Sequence, residues 1–159
     1  MGLLSAIRIN HGVRARAAIC ILAPLLFLVA SFAVFAPRYD AQLDTQASTS
    51  YLNVARLLAG VELGEFADPA SYAEARPRYA DVLATLTLAQ QRAASLPAPS
   101  GGSADRARDD MASLFADCRA QIVSMASIHR RVGLTVEMGV IAPVNTSCDA
   151  AARAARALR

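Results

Sequence analysis

The stretch that decides the fold runs from Met111 to Val132 and has the sequence MASLFADCRAQIVSMASIHRRV. Its apolar side chains and one histidine recur in alternating steps of four and three residues, at Met111, Phe115, Cys118, Ile122, Met125, His129 and Val132. Such steps bring all of these side chains to one stripe of a helix, as in a bundle or a coiled-coil seam. The stretch therefore predicts an amphipathic helix that needs partner helices to cover its stripe.

Two earlier stretches carry the same pattern. The first stripe consists of Leu43, Ala47, Ser50, Val54, Leu57 and Val61. The second consists of Tyr72, Ala75, Tyr79, Val82, Leu86, Ala89, Ala93 and Leu96. Short connections between amphipathic helices make them antiparallel neighbours. The three stripes together predict an all-α fold, an antiparallel bundle of three to four helices.

Residues that start and stop helices separate the stripes. Asp68 followed by Pro69 is a cap with a proline at the first helical position, and Ser71 offers a second start one turn later. Pro77 predicts a kink or a restart early in the second helix. The stretch LPAPSGGS at residues 96–103 predicts a break before the third helix.

The pattern changes after the third stripe. Residues 132–142 alternate between apolar and other side chains and predict a short extended segment, although a continued helix also fits. With Glu137 inside, residues 132–144 are too short and too polar for a membrane pass. Residues 143–147 predict a loop, and residues 149–159 predict a last helix rich in alanine and arginine.

A long run of uncharged residues precedes the bundle. Residues 17–36, AAICILAPLLFLVASFAVFA, contain no charge and would extend about 30 Å as a helix, the thickness of a bilayer's hydrocarbon core. A cleaved signal peptide is the alternative, but its apolar core spans only about 7–15 residues. We therefore expect a transmembrane helix that serves as an uncleaved signal anchor.

The charges on the two sides of this run differ. Arg8, Arg14 and Arg16 stand before it, and no Asp or Glu precedes it. The positive-inside rule therefore predicts a cytoplasmic basic amino terminus, residues 1–16, and an exported part, residues 37–159. Arginine without lysine and abundant alanine are typical of GC-rich bacterial genomes, so we expect a single-pass protein of the bacterial inner membrane with a periplasmic bundle.

Charge and cysteine usage fit this location. The exported part carries equal numbers of acids and arginines and no basic patch with interleaved aromatic residues, which argues against nucleic acid as a partner. Cys118 and Cys148 lie in the exported part, where disulfides form and persist, and we expect them to pair. Two unpaired buried thiols are the alternative. Cys20 lies in the apolar run without an evident partner.

The sequence contains no pattern typical of catalysis. It has no Gly-rich phosphate loop, nucleophile elbow or His-x-x-x-His pair, so we expect no enzyme, no cofactor and no metal site. His129 lies on the third stripe, where a packed histidine is the main interpretation and a ligand or pH-sensitive group is the alternative. Met111 and Met125 on the same stripe are interpreted as core residues. The polar residues on the stripes form a candidate interaction or ligand face: Ser50, Tyr72, Tyr79 and His129.

The order of segments resembles that of one group of families. A basic amino terminus (LSAIRI at residues 4–9, RAR at residues 14–16), a membrane helix and long exported helices resemble the amino-terminal part of bacterial chemoreceptors and sensor kinases, over about the first 95 residues. The resemblance implies a periplasmic four-helix sensory bundle. This sequence shows neither their second membrane helix nor their signalling module, and no ligand residues carry over.

Two functions follow as hypotheses. The first is a membrane-anchored periplasmic interaction module, an accessory subunit or adaptor of an envelope complex. Its partners would be the lipid bilayer and other membrane or periplasmic proteins, or a second copy of the chain. The second is a ligand-binding sensory bundle of the chemoreceptor type.

Overall fold

Four α-helices follow one another in the computed structural model, which describes residues 39–97 and 102–158. They are α1 (Ala41–Glu62), α2 (Tyr72–Ala94), α3 (Gly102–Val132) and α4 (Ile141–Arg156). Two 3-10 turns, Pro69–Ser71 and Val136–Met138, lie in the connections before α2 and before α4. No strand occurs in the described ranges. The prediction of an all-α fold is confirmed for these residues.

The buried faces of α1, α2 and α3 are the stripes of the sequence. Phe115, Ile122 and Met125 of α3 are buried, and so are the stripe residues of α1 and, apart from the half-buried Tyr72, those of α2. Burial of a large apolar side chain contributes roughly 1.5–3 kcal/mol. On α3 the exception is Val132, which is 58% exposed. It is the last residue of α3, where Gly133 turns the chain away from the helix.

The helices close into a four-helix bundle. The second helix packs on α1 and α3, and α4 packs on α3 and on α1. An ion pair between Asp40 and Arg92 joins the beginning of α1 to the end of α2, as antiparallel neighbours require. The core inside this ring of helices contains side chains from all four helices and from the connections.

The two predicted cysteines lie at disulfide distance. The Sγ atoms of Cys118 on α3 and Cys148 on α4 are 2.02 Å apart, and both residues are buried. The rest of the buried face of α4 consists of Val144 and alanines. Since alanine buries little apolar area, the covalent bond adds to a modest packing of α4 on its neighbours.

Asp40 fixes the beginning of α1. Its Oδ1 accepts a hydrogen bond of 2.8 Å from the backbone N–H of Leu43, which is a helix cap. Its Oδ2 accepts two hydrogen bonds from the Arg92 guanidinium, at 2.6 and 3.1 Å. The bonds from Arg92 and from the backbone hold the pKa of this carboxyl below its usual value. The folded state therefore favours the ionised carboxylate.

Replacing Asp40 with alanine is expected to lower the free energy of unfolding by about 1 kcal/mol through loss of the cap alone. Asp40→Asn keeps the capping oxygen and loses the charge, so its stability should lie between those of the wild type and Asp40→Ala. Because the folded pKa is lowered, the contribution of Asp40 is present above the unfolded pKa, about 3.9, and is lost as the pH falls through the folded pKa. Urea unfolding of the three proteins as a function of pH measures both effects; equal acid sensitivity of wild type and Asp40→Asn would contradict the second.

The start of α2 uses the Asp68–Pro69 signal, whereas Ser71, the second predicted start, directly precedes the helix without a side-chain capping bond. Asp68 Oδ1 accepts a 2.8 Å bond from the backbone N–H of Ala70, which caps the 3-10 turn, and Pro69 occupies its first position. The helix then runs unbroken through Pro77. The helix therefore does not restart at this residue, which was one of the two predicted alternatives. Pro77 lies between Ala75 and Tyr79, which are both buried. Their packing offsets the one backbone hydrogen bond that a proline removes.

The connection from α3 to α4 differs from the prediction. The extended segment expected at residues 132–142 is not a strand: Thr135 has extended dihedral angles, and a 3-10 turn follows it directly. One backbone hydrogen bond ties this region to the α1–α2 connection, 2.6 Å from the N–H of Leu134 to the carbonyl of Phe66. Of the alternating apolar residues that suggested a strand, only Leu134 is buried, and Val132, Val136 and Met138 are exposed.

The last helix begins earlier than predicted. It starts at Ile141, so the loop expected at residues 143–147 is wrong, and these residues form the first turns of α4. Pro143 does not end the helix, because the N–H groups of a first turn have no helical partner to lose. Val144 and Cys148 on this added segment are both buried against the core.

Residues 17–36, for which a transmembrane helix is expected, lie outside the described residues. Among the helices of residues 39–97 and 102–158, none combines the length and the apolar character needed to cross a membrane.

Candidate functional site

Two of the four polar residues predicted to form a face, Tyr72 and Tyr79, contact a third, His129. The phenol oxygen of Tyr79 lies 3.1 Å from His129 Nδ1, and Ser71 Oγ lies 2.9 Å from Nε2. Tyr72 contacts the imidazole edge-on, with ring centroids 5.5 Å apart. Together with Phe66 they form what we call the histidine cluster: Phe66, Ser71, Tyr72, Tyr79 and His129.

Ser50 does not belong to this cluster. It is buried on α1, and its hydroxyl donates a 2.8 Å hydrogen bond to the carbonyl of Gln46 one turn earlier. That bond satisfies a buried hydroxyl within its own helix. Ser50 is therefore a packed core residue of α1.

The hydrogen bonds define which imidazole nitrogen carries the proton. Ser71 Oγ donates to the carbonyl of Asp68 at 2.6 Å, so toward His129 the same oxygen accepts from Nε2–H. Nδ1 is then the acceptor of the Tyr79 hydroxyl. This assignment, made from the network, gives a partner to the hydroxyl hydrogens of Ser71 and Tyr79 and to the imidazole N–H, with a neutral imidazole.

The predicted face omits two members of the cluster: Ser71, which was interpreted only as a helix start, and Phe66. Phe66 lies in the α1–α2 connection, residues 63–71, outside every helical stripe, and it is buried. Its ring centroid is 4.8 Å from that of His129. The signal that could have found it is an isolated aromatic residue shortly before the capping Asp68, since apolar residues before a cap commonly pack on the helix that follows.

Burial keeps the cluster neutral. His129 is fully buried, and this burial lowers the pKa of its imidazole, although a hydrogen bond with the backbone of Asp68 opposes the shift. Burial, together with the neighbouring Tyr72, raises the pKa of the Tyr79 hydroxyl well above its usual value. At neutral pH the cluster therefore contains a neutral imidazole and a protonated phenol.

Tyr79→Phe is expected to lower the free energy of unfolding by about 1–2 kcal/mol, because it leaves the buried Nδ1 of His129 without a donor. Tyr51→Phe is the matched control, since the Tyr51 hydroxyl makes one long, exposed bond of 3.4 Å to Asn145. We expect that variant to differ from wild type by less than about 0.5 kcal/mol. Denaturant unfolding followed by circular dichroism compares the two; equal losses would contradict the assigned bond.

An open cleft adjoins the cluster on its solvent side. Its volume is about 350 Å³, and its lining residues are Glu65, Phe66, Ser71, Glu74, Ala75 and Arg78. The Arg78 guanidinium pairs with Glu65 at 2.6 Å and lies over the Phe66 ring, 5.8 Å from its centroid. Such a cleft offers charges of both signs, a hydroxyl and an aromatic edge, and its volume is at the lower end for small-molecule pockets.

The same end of the bundle carries a group of exposed apolar side chains. Leu63 is 76% exposed, Val132 58%, Val136 50% and Met138 42%, and we call these four residues the apolar tip. Leu63 lies just after α1, and the other three lie at the end of α3 and in the connection to α4. Single exposed apolar residues are normal on a surface, whereas a concentration of them marks an interaction site.

The two connections that carry the apolar tip lie side by side. Residues of both line one shallow cleft of about 210 Å³, among them Gly64 and Ala67 from the first and Thr135 and Val136 from the second. Glu62 and Glu137 also line it, so this cleft of the tip carries two acidic residues. The described part of the chain contains no group of three His, Cys, Asp or Glu residues placed to hold a metal ion.

Comparisons of this chain with protein-family models, with curated proteins and with solved structures find no match. The geometry of the site and the pattern of the sequence are therefore the grounds for its function.

Proposed function

We propose that this chain is a single-pass, membrane-anchored periplasmic helical module that binds another protein of the bacterial envelope through its apolar tip. Residues 17–36 would be the anchor, residues 1–16 the cytoplasmic end, and residues 37–159 the periplasmic bundle. The observation that carries the proposal is the gathering of four exposed apolar side chains at one end of a bundle whose other surfaces expose such residues singly.

The position of the tip supports this role. The first helix has 22 residues and so separates Tyr39 from Leu63 by about 33 Å. The tip thus lies at the end of the bundle opposite to the point where the chain continues toward residues 17–36. A surface at that end lies one full length of α1 away from Tyr39 and is accessible to a partner there.

The chemistry of the tip specifies the kind of partner. Leu63, Val136 and Met138 offer apolar contact area, and Glu62 and Glu137 lie at its rim. An apolar centre with a charged rim is the usual composition of a protein–protein interface. We therefore expect a partner surface with apolar residues flanked by arginine or lysine, as an accessory subunit or adaptor would meet in a complex.

Site-specific photo-crosslinking in native membranes tests the proposal. A photoreactive amino acid at Leu63 is expected to give a discrete adduct with another protein, because this side chain is the most exposed apolar residue of the tip. The matched control is the same substitution at Leu88, which is 53% exposed on α2 away from the tip. An adduct at both positions, or at neither, would contradict a tip-directed interaction.

A ligand-binding sensory bundle is the second candidate, and the cleft beside the histidine cluster favours it. Glu65, Glu74 and Arg78 surround a floor formed by Ser71 and Phe66. If a small molecule binds there, a thermal-shift screen of metabolites against the full chain should find a stabilising class whose effect Arg78→Ala abolishes. Stabilisation that persists in Arg78→Ala would place the ligand elsewhere, and no stabilisation by any class would end this candidate.

A further inference from the structure

We propose that His129 is an acid-sensitive latch: in its neutral form it holds the α1–α2 connection against the end of α3, and on protonation it releases this connection. The inference rests on the proposed function, because the connection carries Leu63 and thereby shapes the apolar tip. Acid would then disperse the surface that binds the partner.

The contacts between the α1–α2 connection and α3 converge on one place. Ser71 Oγ lies 2.9 Å from His129 Nε2, and the Phe66 ring packs on the imidazole with centroids 4.8 Å apart. Just beyond α3, the N–H of Leu134 donates a 2.6 Å hydrogen bond to the carbonyl of Phe66. One imidazole thus contacts both a polar and an apolar side chain of the connection, next to the backbone bond that ties the connection down.

A second proton on the imidazole conflicts with this arrangement. The added proton goes to Nδ1, which in the neutral ring accepts the Tyr79 hydroxyl at 3.1 Å. Two hydrogens would then point at each other between Nδ1 and the phenol oxygen, so the hydroxyl hydrogen of Tyr79 must rotate away and its oxygen accepts from Nδ1–H instead. Since Tyr79 is buried, the displaced hydroxyl loses its acceptor, and a buried donor without a partner destabilises the closed form.

No carboxylate compensates for the new charge. The groups that face the ring or flank it are Asp68 and Glu65 from the connection, Tyr72, Tyr79 and Arg78 from α2, and Arg130 and Arg131 from α3. The Asp68 carboxylate caps Ala70, and Glu65 pairs with Arg78. Burial lowers the pKa of His129, and a hydrogen bond with the backbone of Asp68, rather than a carboxylate, opposes this shift. The aromatic faces offer only the weak attraction of a cation–π contact.

The direction of the pH effect follows from the lowered pKa. When the connection is open, His129 on α3 is no longer buried, and the pKa of its imidazole returns toward the ordinary value of 6.5. The latched form is therefore fully favoured above about pH 6.5, and the preference is lost as the pH falls through the lower pKa of the closed form. The latch responds to acidification of the medium around the bundle.

Hydrogen–deuterium exchange of the full chain in detergent micelles tests the latch. Rates are compared at about pH 7.5 and about pH 5 after correction for intrinsic chemical exchange, and amides 64–72 are expected to exchange about tenfold faster at the lower pH. Amides 81–94, at the far end of α2, should keep their protection. Equal acceleration of both segments would indicate loss of the whole bundle and overturn the proposal.

The two histidines of the chain provide matched variants. His11→Gln should keep the acid response in full, and His129→Gln should lose it. If His129→Gln does not fold, His11→Gln alone tests the latch. The one histidine that remains in this variant, His129, must titrate in the NMR spectrum with the same midpoint as the opening of amides 64–72. A midpoint that differs, or a response that is missing in His11→Gln, would overturn the latch.

The experiments distinguish a failure of the latch from a failure of the proposed function. Exchange is measured without a partner, so a bundle that never crosslinks through Leu63 can still show the acid opening. Conversely, an adduct at Leu63 at about pH 7.5 with unchanged exchange at about pH 5 would leave the interaction in place and remove its regulation.

Discussion

Replacing Cys118 and Cys148 together with alanine is expected to lower the free energy of unfolding by about 3–4 kcal/mol. The bond closes a loop of 30 residues, and without it the unfolded chain gains the corresponding conformational freedom. It also fastens α4, whose remaining buried side chains are Val144 and alanines. Chemical unfolding followed by circular dichroism measures the loss.

The third cysteine of the chain supplies the control for this experiment. The parent protein and the double variant both carry Cys20→Ala, so that a free-thiol count of zero in the parent before reduction reports on Cys118 and Cys148 alone. Reduction of the Cys20→Ala protein should reproduce most of the loss seen on substitution. A change of less than about 1 kcal/mol in both tests would mean that packing alone holds α4 in place.

Gly133→Ala is expected to destabilise the bundle by about 3 kcal/mol or more, the range of effects that backbone clashes and strain produce. A Cβ at this position would lie 2.1 Å from the carbonyl oxygen of Ala67 and 2.7 Å from its carbonyl carbon. Both are backbone atoms, so the α1–α2 connection itself would have to move. The residue also has φ of +77°, which side-chain-bearing residues rarely adopt.

Two other glycines separate the clash from the backbone strain. Gly64 and Gly139 have similar positive φ values, +76° and +67°, but a Cβ on either would meet nothing within 4 Å. Each of these alanine variants should therefore lose only about 1–2 kcal/mol, the cost of the left-handed conformation. If Gly133→Ala were no worse than Gly64→Ala in thermal or denaturant unfolding, the close approach of the two connections would be contradicted.

The close approach at Gly133 also bears on the latch. The same connection that His129 holds by its side chain is held by backbone contact at Gly133 and Leu134. We expect amides 64–72 to exchange faster in Gly133→Ala than in wild type at neutral pH, measured alongside His129→Gln. Protonation and steric displacement would then open the same segment by different means.

The helical stripes could be predicted because they depend on local periodicity. Residues three and four apart share a helix face whatever the rest of the chain does, so the buried sides of α1, α2 and α3 follow from the sequence. Leu43, Phe115 and Val82 are buried where the stripes place them. The expected transmembrane helix at residues 17–36 stays a prediction, since these residues lie outside the described part.

The start of α4 could not be predicted because local signals misrepresent it. Pro143 and the polar residues 145–147 are typical of a loop, yet α4 begins at Ile141. Burial of Val144 and Cys148 against α3 favours the helix, and the sequence does not show which surface will cover them. Tertiary packing thus outweighs the local preference of this segment.

The sequence by itself determined the helical class, the faces that are buried and the two cysteines that can pair, since composition and spacing along the chain carry that information. Only the tertiary structure decided the histidine cluster. Ser71 and Tyr79 reach His129 across 58 and 50 residues of chain, and Phe66 joins them from a connection without periodicity. Which side chains meet across such separations depends on how helices pack and where their connections cross, and these are properties of the whole bundle rather than of any one stretch.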